Sequence, residues 1–398
     1  MKMTYETHFA PREDGRYTAT MAGFMQWLRD MKPEFALPDK QTKEEFIQWR
    51  DALRKKAEEI LLLPPFTEQP EPKFLSVKQR EGYRVEKWEF YPDDYLAVPF
   101  LILIPDTATK EHPAPGVLCF PGSAASKELL AGEPLEHGIM GSFNKYPERN
   151  CMAKAMVQAG YVAFAFDNPA TAETALPIER PGDFGAGARV HLCYGLAQCG
   201  ITYAGYSVFQ KLCVLPFLKN LPYVDASRLA VSAHSLGTID ANFLGLIREE
   251  FQAVIINDFV GDDVERYFAV TEEDEYEMTQ NVGNWHELFG IFRYFSRPEM
   301  CAALAPKYLA LNEGGSDYHL ARIQRAFDLM GVSDHLQISY YPKYQNEEDR
   351  TFRGKMPDHG ISDEEYYQWH NVDAPDHSFR IEPSIRFLKK AFAEMEEK

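Results

Sequence analysis

The sequence contains no apolar run approaching the roughly 20 residues that a membrane-spanning helix needs. Its opening, Met1-Lys2-Met3-Thr4-Tyr5-Glu6, lacks the apolar core of a signal peptide. The expectation is a cytoplasmic protein, or a periplasmic or secreted one if an export leader has been trimmed. Basic residues are the scarcer charge, 42 against 60 acidic, for a formal net charge of −18. So acidic a surface repels phosphate backbones, which argues against nucleic acid as a partner, and by itself it serves solubility. Cysteine is sparse. Cys119, Cys151, Cys193, Cys199, Cys213 and Cys301 form neither a C-x-x-C pair nor a metal-binding spacing. A disulfide framework is not expected in so large a chain, and Cys119 and Cys213 sit in apolar runs as small hydrophobes. No repeat and no low-complexity tract stands out.

What is present is ample material for a core: 398 residues, 45% hydrophobic and 13% aromatic. The first ~70 residues read as helical. Thr42 and Glu45 have the capping-box spacing, and Phe46, Trp49, Leu53, Ala57 and Ile60 then recur on one helical face. That face must pack on something. Pro64, Pro65, Pro70 and Pro72 mark a connector.

From Tyr83 onward the pattern changes. Trp88 to Tyr91 and Leu96 to Ile104, around Asp93-Asp94, read as a hairpin of two strands. Short apolar runs follow at 116–120, 162–166, 229–233, 253–256, 308–311 and 336–341, separated by helical stretches. Strands alternating with helices imply right-handed crossovers, hence a mostly parallel mixed sheet with helices on both faces.

The strand Leu229-Ala230-Val231-Ser232-Ala233 runs into His234-Ser235-Leu236-Gly237 and then into a helical stretch, Thr238 to Arg248. This is the G-x-S-x-G elbow with Ala233 in place of the first glycine. Small residues are needed because the sharp turn brings neighbouring backbone close. The helix start then aims free N–H groups at the place where an oxyanion would form. A serine in ordinary helix-capping duty is the plainer reading, but strand-before and helix-after is the context that makes Ser235 a nucleophile.

A serine hydroxyl needs a histidine to take its proton and an acid to orient that histidine. In hydrolases built on this elbow the order along the chain is Ser, acid, His. The loop Glu313-Gly314-Gly315-Ser316-Asp317 follows a late strand, and Asp317 is the preferred acid, with Glu313 and Asp258 as rivals. His377, in Asp376-His377-Ser378-Phe379 before a final helix over Ile381 to Phe392, is the preferred base. His370 and His359 are fallbacks in the same region, and His234 is expected to point away from the serine. Leu236 would give one oxyanion N–H and Gly122 or Ser123, in the loop Pro121 to Ala125, the other.

The Pro121 to Lys127 loop, the stretch Tyr146 to Asp167, the Ser235 elbow, the Glu313-Gly314-Gly315 loop with Asp317 and the closing Asp376-His377-Ser378-Phe379 together resemble the large acetyl xylan esterase-like, dienelactone-hydrolase-related α/β-hydrolases. The resemblance spans most of the chain. It departs at Pro121, where the family loop more often begins His-Gly, and at Ala233. It implies an α/β-hydrolase fold with an N-terminal helical extension, and deacetylation of a carbohydrate through an acetyl-Ser235 intermediate without a cofactor. The partner implied is a small-molecule or oligosaccharide ester; nothing in the sequence specifies an oligomeric state. Related glucuronoyl esterases place an arginine directly after the serine, where this chain has Leu236. The domain reading is an extension, 1–72, packed on a catalytic domain, 73–398, with insertions at about 259–300 and 344–375.

The first insertion holds Tyr267, Phe268, Tyr276, Trp285, Phe289, Phe292, Tyr294 and Phe295, either a sugar-stacking wall or a small core under the loop. Three rival readings remain: a peptidase or non-carbohydrate esterase on the same fold, a metal hydrolase, and a non-catalytic binding protein. Trp285-His286-Glu287 begins like a zinc helix, but Gly290 stands where the second histidine ligand should be, so no metal is expected.

Overall fold

The computed structural model describes residues 10–123, 125–135, 147–176, 186–268, 288–357 and 361–397. Among the described residues nine strands form one sheet: β1 (Lys73–Arg80), β2 (Tyr83–Phe90), β3 (Val98–Pro105), β4 (Ala114–Phe120), β5 (Val162–Phe166), β6 (Val224–His234), β7 (Phe251–Asn257), β8 (Tyr308–Leu311) and β9 (Leu336–Ile338). Their order is β1-β2-β3-β5-β4-β6-β7-β8-β9. The first three strands run antiparallel to their neighbours, β3 against β5 included, and all pairs from β5 and β4 to β9 are parallel. The sheet is therefore mixed and mostly parallel, as the alternation of apolar runs predicts.

The hairpin turns where Asp93 and Asp94 place it: the Asp93 carboxylate accepts from the backbone N–H of Tyr95 (2.8 Å) and Leu96 (3.0 Å). Strand β1 is not foreseen in the sequence. It is an edge strand largely exposed to solvent, so it carries no buried face to impose an alternating pattern.

Helices are α1 (Thr20–Asp30), α2 (Lys43–Leu61), α3 (Lys127–Ala131), α4 (Met152–Gln158), α5 (Ala186–Gln198), α6 (Tyr203–Lys219), α7 (Thr238–Ile247), α8 (Arg297–Ala303), α9 (Asp317–Met330), α10 (Asp363–Trp369) and α11 (Ile381–Glu396). Side chains alternate across a strand, so neighbouring residues of the central strands feed two cores. Leu118, Val231, Val254 and Leu309 join a core with α2, α6, α7, α8 and α9. Val117, Ala230, Ile255 and Ala310 join another with α3, α4 and α11. Each fully buried Leu, Ile or Phe contributes roughly 1.5–3 kcal/mol over its exposed state.

The capping box forms. Thr42 N–H donates to Glu45 (2.7 Å) and Glu45 N–H to the Thr42 hydroxyl (3.2 Å). Helix α2 buries Phe46, Leu53, Ala57 and Ile60 in the larger core. Its Arg54 donates to the carbonyls of Ala303 (3.0 Å) and Leu304 (3.4 Å), a cation at the negative end of α8. Helix α1 behaves differently. Its Ala22, Met25 and Leu28 pack on Phe259, Tyr341, Tyr366 and Val372, the loops beyond β7 and β9, and not on the sheet. Among the described residues no helix is long and apolar enough to cross a membrane.

Candidate active site

Because β4, β6, β7 and β8 are parallel, their carboxyl ends lie along one edge of the sheet, and the loops there build the site. Strand β6 ends at His234, and Ser235 opens a short 3₁₀ turn leading into α7. Ser235 has φ +50°, the left-handed region that a side chain resists. Such a residue costs on the order of 1–3 kcal/mol and persists only when its surroundings over-determine it. Two bonds do so here: Gly237 N–H donates to Pro121 O (3.1 Å) and the Thr238 hydroxyl to Ser235 O (2.6 Å). A methyl at Gly237 would come within 2.7 Å of Phe120 O, so that position of the motif admits only glycine. At Ala233, by contrast, the methyl is absorbed into the core, which is why alanine is tolerated there.

His377 lies in the loop before α11, and Glu313 stands just past the end of β8. Glu313 Oε2 is 2.6 Å from His377 Nδ1, and Glu313 Oε1 accepts from Ser378 N–H (3.1 Å). The Glu313 side chain is fully buried. The histidine loop is clamped residue by residue. Asn257, the last residue of β7, donates to Ser378 O (3.0 Å) and accepts from Arg380 N–H (2.7 Å), while Asn150 accepts from Phe379 N–H (2.8 Å). The buried Tyr341 hydroxyl lies 3.5 Å from His377 Nδ1, and the Arg380 guanidinium covers the Tyr341 ring at 4.9 Å.

The expected acid, Asp317, is elsewhere. It is the first residue of α9, where its carboxylate accepts from the Tyr340 hydroxyl (2.7 Å) and Arg350 Nε (3.1 Å). The reason is positional. The glycine pair carries the chain away from the strand end before Asp317 is reached, so the carboxylate against the imidazole is that of the rival, Glu313. The other rival, Asp258, is held by Arg297 (3.0 Å) and by its neighbour's N–H. Of the fallback bases, His370 is fully buried between Glu265 (3.0 Å) and Tyr366 O (2.8 Å), and His359 lies outside the described residues. His234 does not turn out of the site. Its ring lies 4.5 Å from that of His377, and its Nδ1 is 3.1 Å from where a Gly122 methyl would stand.

These placements set the charges. Burial works against the charged form of His377, but the Glu313 charge and hydrogen bond, helped by Asp258, outweigh it and raise the imidazole to about 9. Burial and the neighbouring His377 drive His234 well below the ordinary histidine value, so it stays neutral. Burial also opposes the charge on Asp258, yet Arg297 and His377 keep its carboxyl below the ordinary range.

The loop after β4 is held from behind by the residues just past β5 and by Arg189 of α5. Asn168 donates to the carbonyls of Pro121 and Gly122 (both 3.1 Å), Arg189 to Ser123 O (2.7 Å), and Lys127 N–H to Asp167 (2.7 Å). Lys127 itself is fully buried against Asp167, Glu128 and Glu173. In a trans peptide the C=O and the following N–H point opposite ways, so tying Gly122 O to Asn168 turns Ser123 N–H away from Asn168. A methyl at Gly122 would stand 3.4 Å from Ser235 Cβ, so loop and elbow touch. Sequence reasoning missed this support. Its one signal was a pair of polar residues, Asp167-Asn168, closing an otherwise apolar strand.

A cavity of about 410 Å³ joins these parts, lined by Ser123, Ser235, Leu236 and His377 together with Arg266 and Tyr341 among others. Among the described residues the one group spaced for a metal ion is His234, Glu313 and His377, whose donor atoms lie within 4.8 Å of one another. The 2.6 Å between Glu313 Oε2 and His377 Nδ1 is a hydrogen-bond distance. Two donors on one tetrahedral zinc, with bonds of about 2.0 Å, would stand about 3.3 Å apart. Trp285, His286 and Glu287 lie outside the described residues, as does Tyr276. Phe295 of the same insertion is core, whereas Phe289 and Phe292 line a second cavity.

Comparison with known proteins bears on the fold and the family. A candidate acetyl xylan esterase from Bacteroides fragilis NCTC 9343 is 31% identical with a TM-score of 0.88, over 98% of this chain and 100% of that one. A methylesterase superposes with a TM-score of 0.52 at 15% identity, over 98% of this chain and 83% of its own. A glucuronoyl esterase from Solibacter usitatus gives 0.51 at 12% identity, over 96% and 97%, and at such identities the likeness is one of fold. No curated protein matches. The Abhydrolase family model matches residues 2–390. Family and fold agree with the strand order, and the chain belongs to the Abhydrolase family of α/β-hydrolases.

Proposed function

We propose that the protein is a serine carboxylic-ester hydrolase that removes acetyl groups from a carbohydrate. One observation carries the reading: a buried carboxylate, Glu313, holds Nδ1 of His377 at 2.6 Å in the cavity that Ser235 also lines, with Ser235 kept at φ +50°. In that reading Ser235 Oγ attacks the ester carbonyl carbon while His377 Nε2 takes its proton. Glu313 fixes the tautomer and stabilises the imidazolium. The N–H groups of Leu236 and of Ser123 or Gly122 bind the developing oxyanion, worth about 3–4 kcal/mol per donor in such sites. Collapse expels the alcohol, protonated by His377, and leaves an acetyl ester on Ser235. Water, deprotonated by the same imidazole, then releases acetate. Support for a carbohydrate acetyl ester comes from the Bacteroides fragilis relative, itself a candidate acetyl xylan esterase.

The test is labelling by a fluorophosphonate with mass-spectrometric mapping of the adduct, alongside acetate release from acetylated xylan oligosaccharides. The expected adduct is on Ser235 and disappears in Ser235→Ala together with hydrolysis, a fall of about 10⁵-fold or more. Retained hydrolysis in Ser235→Ala would overturn the reading.

A further inference from the structure

A second cavity, of about 350 Å³, lies directly beside the serine cavity and shares Ile239, Arg266 and Arg297 with it. Its inner wall is the first turns of α7, including Ile239 and Phe243, just downstream of Ser235. Its outer wall is α1, through Phe24, Trp27 and Leu28, with Met31 just past the helix end, and the chain from Leu288 to Phe292 closes it.

Most of the polar groups in this wall have partners within the protein. Arg297 is paired with Asp258 (3.0 Å) and Asp263 (3.5 Å). Arg266 donates to the Tyr366 hydroxyl (3.1 Å) and lies over the Phe259 ring at 5.1 Å. The Thr238 hydroxyl donates to Ser235 O, and Asn242 accepts from the Cys301 thiol. What faces the interior is mainly hydrocarbon, with Asn242 and Arg293 also on the wall. A sugar ring placed there would lose water from its hydroxyls and find few free partners, whereas an apolar ring loses nothing. At the rim, Trp27 and Phe289 are 52% and 43% exposed, large apolar surfaces at a cavity mouth and not scattered over the exterior.

We propose that this second cavity binds an apolar group, aromatic or branched alkyl, carried on the alcohol side of the ester that Ser235 attacks, so that the substrate is an acetylated glycoside with an apolar aglycone. The assignment to the alcohol side rests on the deacetylase reading, since an acetyl group is too short to reach past Ile239. In size, the cavity has roughly twice the ~150 Å³ that accommodates benzene in an apolar protein cavity, enough for a fused bicyclic ring.

The test separates this site from catalysis by using the full chain with Ser235→Ala. Calorimetry compares 2-naphthyl β-xyloside with methyl β-xyloside, both unacetylated. The naphthyl glycoside is expected to bind at least tenfold tighter, and Trp27→Ala combined with Phe289→Ala, both at exposed positions, should bring the ratio of the two affinities close to one. Equal affinities before those substitutions, or a preference that survives them, would overturn the inference while leaving the esterase reading intact. In the active enzyme, KM for acetylated naphthyl xyloside should fall in step with that affinity. If a naphthoyl ester of methyl xyloside shows the lowered KM instead, the cavity takes the acyl group and the alcohol-side assignment is overturned. Failure of Ser235 to react with the fluorophosphonate would sink the esterase reading without altering the binding result.

Discussion

Glu313 and Asp317 stand on one short loop, yet the structure gives them unlike surroundings. Glu313 is fully buried at the end of β8 and holds an imidazole and one backbone N–H. Asp317, further along, starts a helix and ties Tyr340 and Arg350 together near the surface. The difference teaches where the fold delivers chemistry. Only the first residues beyond a parallel strand share the edge on which the serine elbow and the histidine loop meet. A few residues later the chain has turned into helix, and a carboxylate there serves the helix and its neighbours.

The largest expected effect breaks this comparison outright. Glu313→Gln keeps the shape but loses the charge that orients His377, and should lower kcat on an aryl acetate by about 10³–10⁴-fold. Asp317→Asn should change kcat less than about fivefold, since nothing it touches reaches Ser235. Were the two effects interchanged, the acid would be Asp317 after all.

A pH profile sharpens the same contrast. The base form of His377 is neutral, so kcat/KM should climb as pH rises toward about 9 and level off beyond it. In Glu313→Gln the charge that raises the imidazole is gone while burial, which lowers it, remains. The apparent pKa should then fall well below 9, whereas Asp317→Asn should leave the profile unmoved. Stability follows the same sign. His377 titrates higher in the folded chain than its ordinary value near 6.5, so the pair stabilises fully below about pH 6.5 and that contribution is lost as pH rises through about 9. Melting curves across that window should show the decline in the unsubstituted protein and its absence in Glu313→Gln.

The smallest effect belongs to Asp317 alone. Removing its charge leaves Arg350, a nearly buried cation, with a weaker partner. Denaturant unfolding should register a loss of about 1–2 kcal/mol, with activity at low temperature preserved.

The elbow was legible because its constraints are local. A turn this sharp between strand and helix demands small residues two before and two after Ser235, and both flanking elements announce themselves by apolar patterning over 229–233 and 238–248. His377 was legible from its place before the closing helix. The parallel strands, buried on both faces, read as continuous apolar runs, while β1, exposed at the edge, left no pattern. Glu313 was visible only as one of three carboxylates. Choosing among them depends on how far the chain travels before the loop bends, and no local pattern records that distance. Asn168 showed only as a polar residue after an apolar run, and Asn257 and Asn150 gave no signal, because the partners of all three are backbone groups far along the chain.

By itself, the sequence determined a mixed, mostly parallel sheet with helices on both faces and a serine raised at the end of one strand, since periodicity and turn chemistry act over a few residues. Tertiary structure alone decided which carboxylate meets His377, how the loop at Gly122 is pinned, and that α1 walls a second, largely apolar cavity beside that of Ser235. Those outcomes depend on distances between segments remote in the chain, and such distances are fixed only when the two cores close on the sheet.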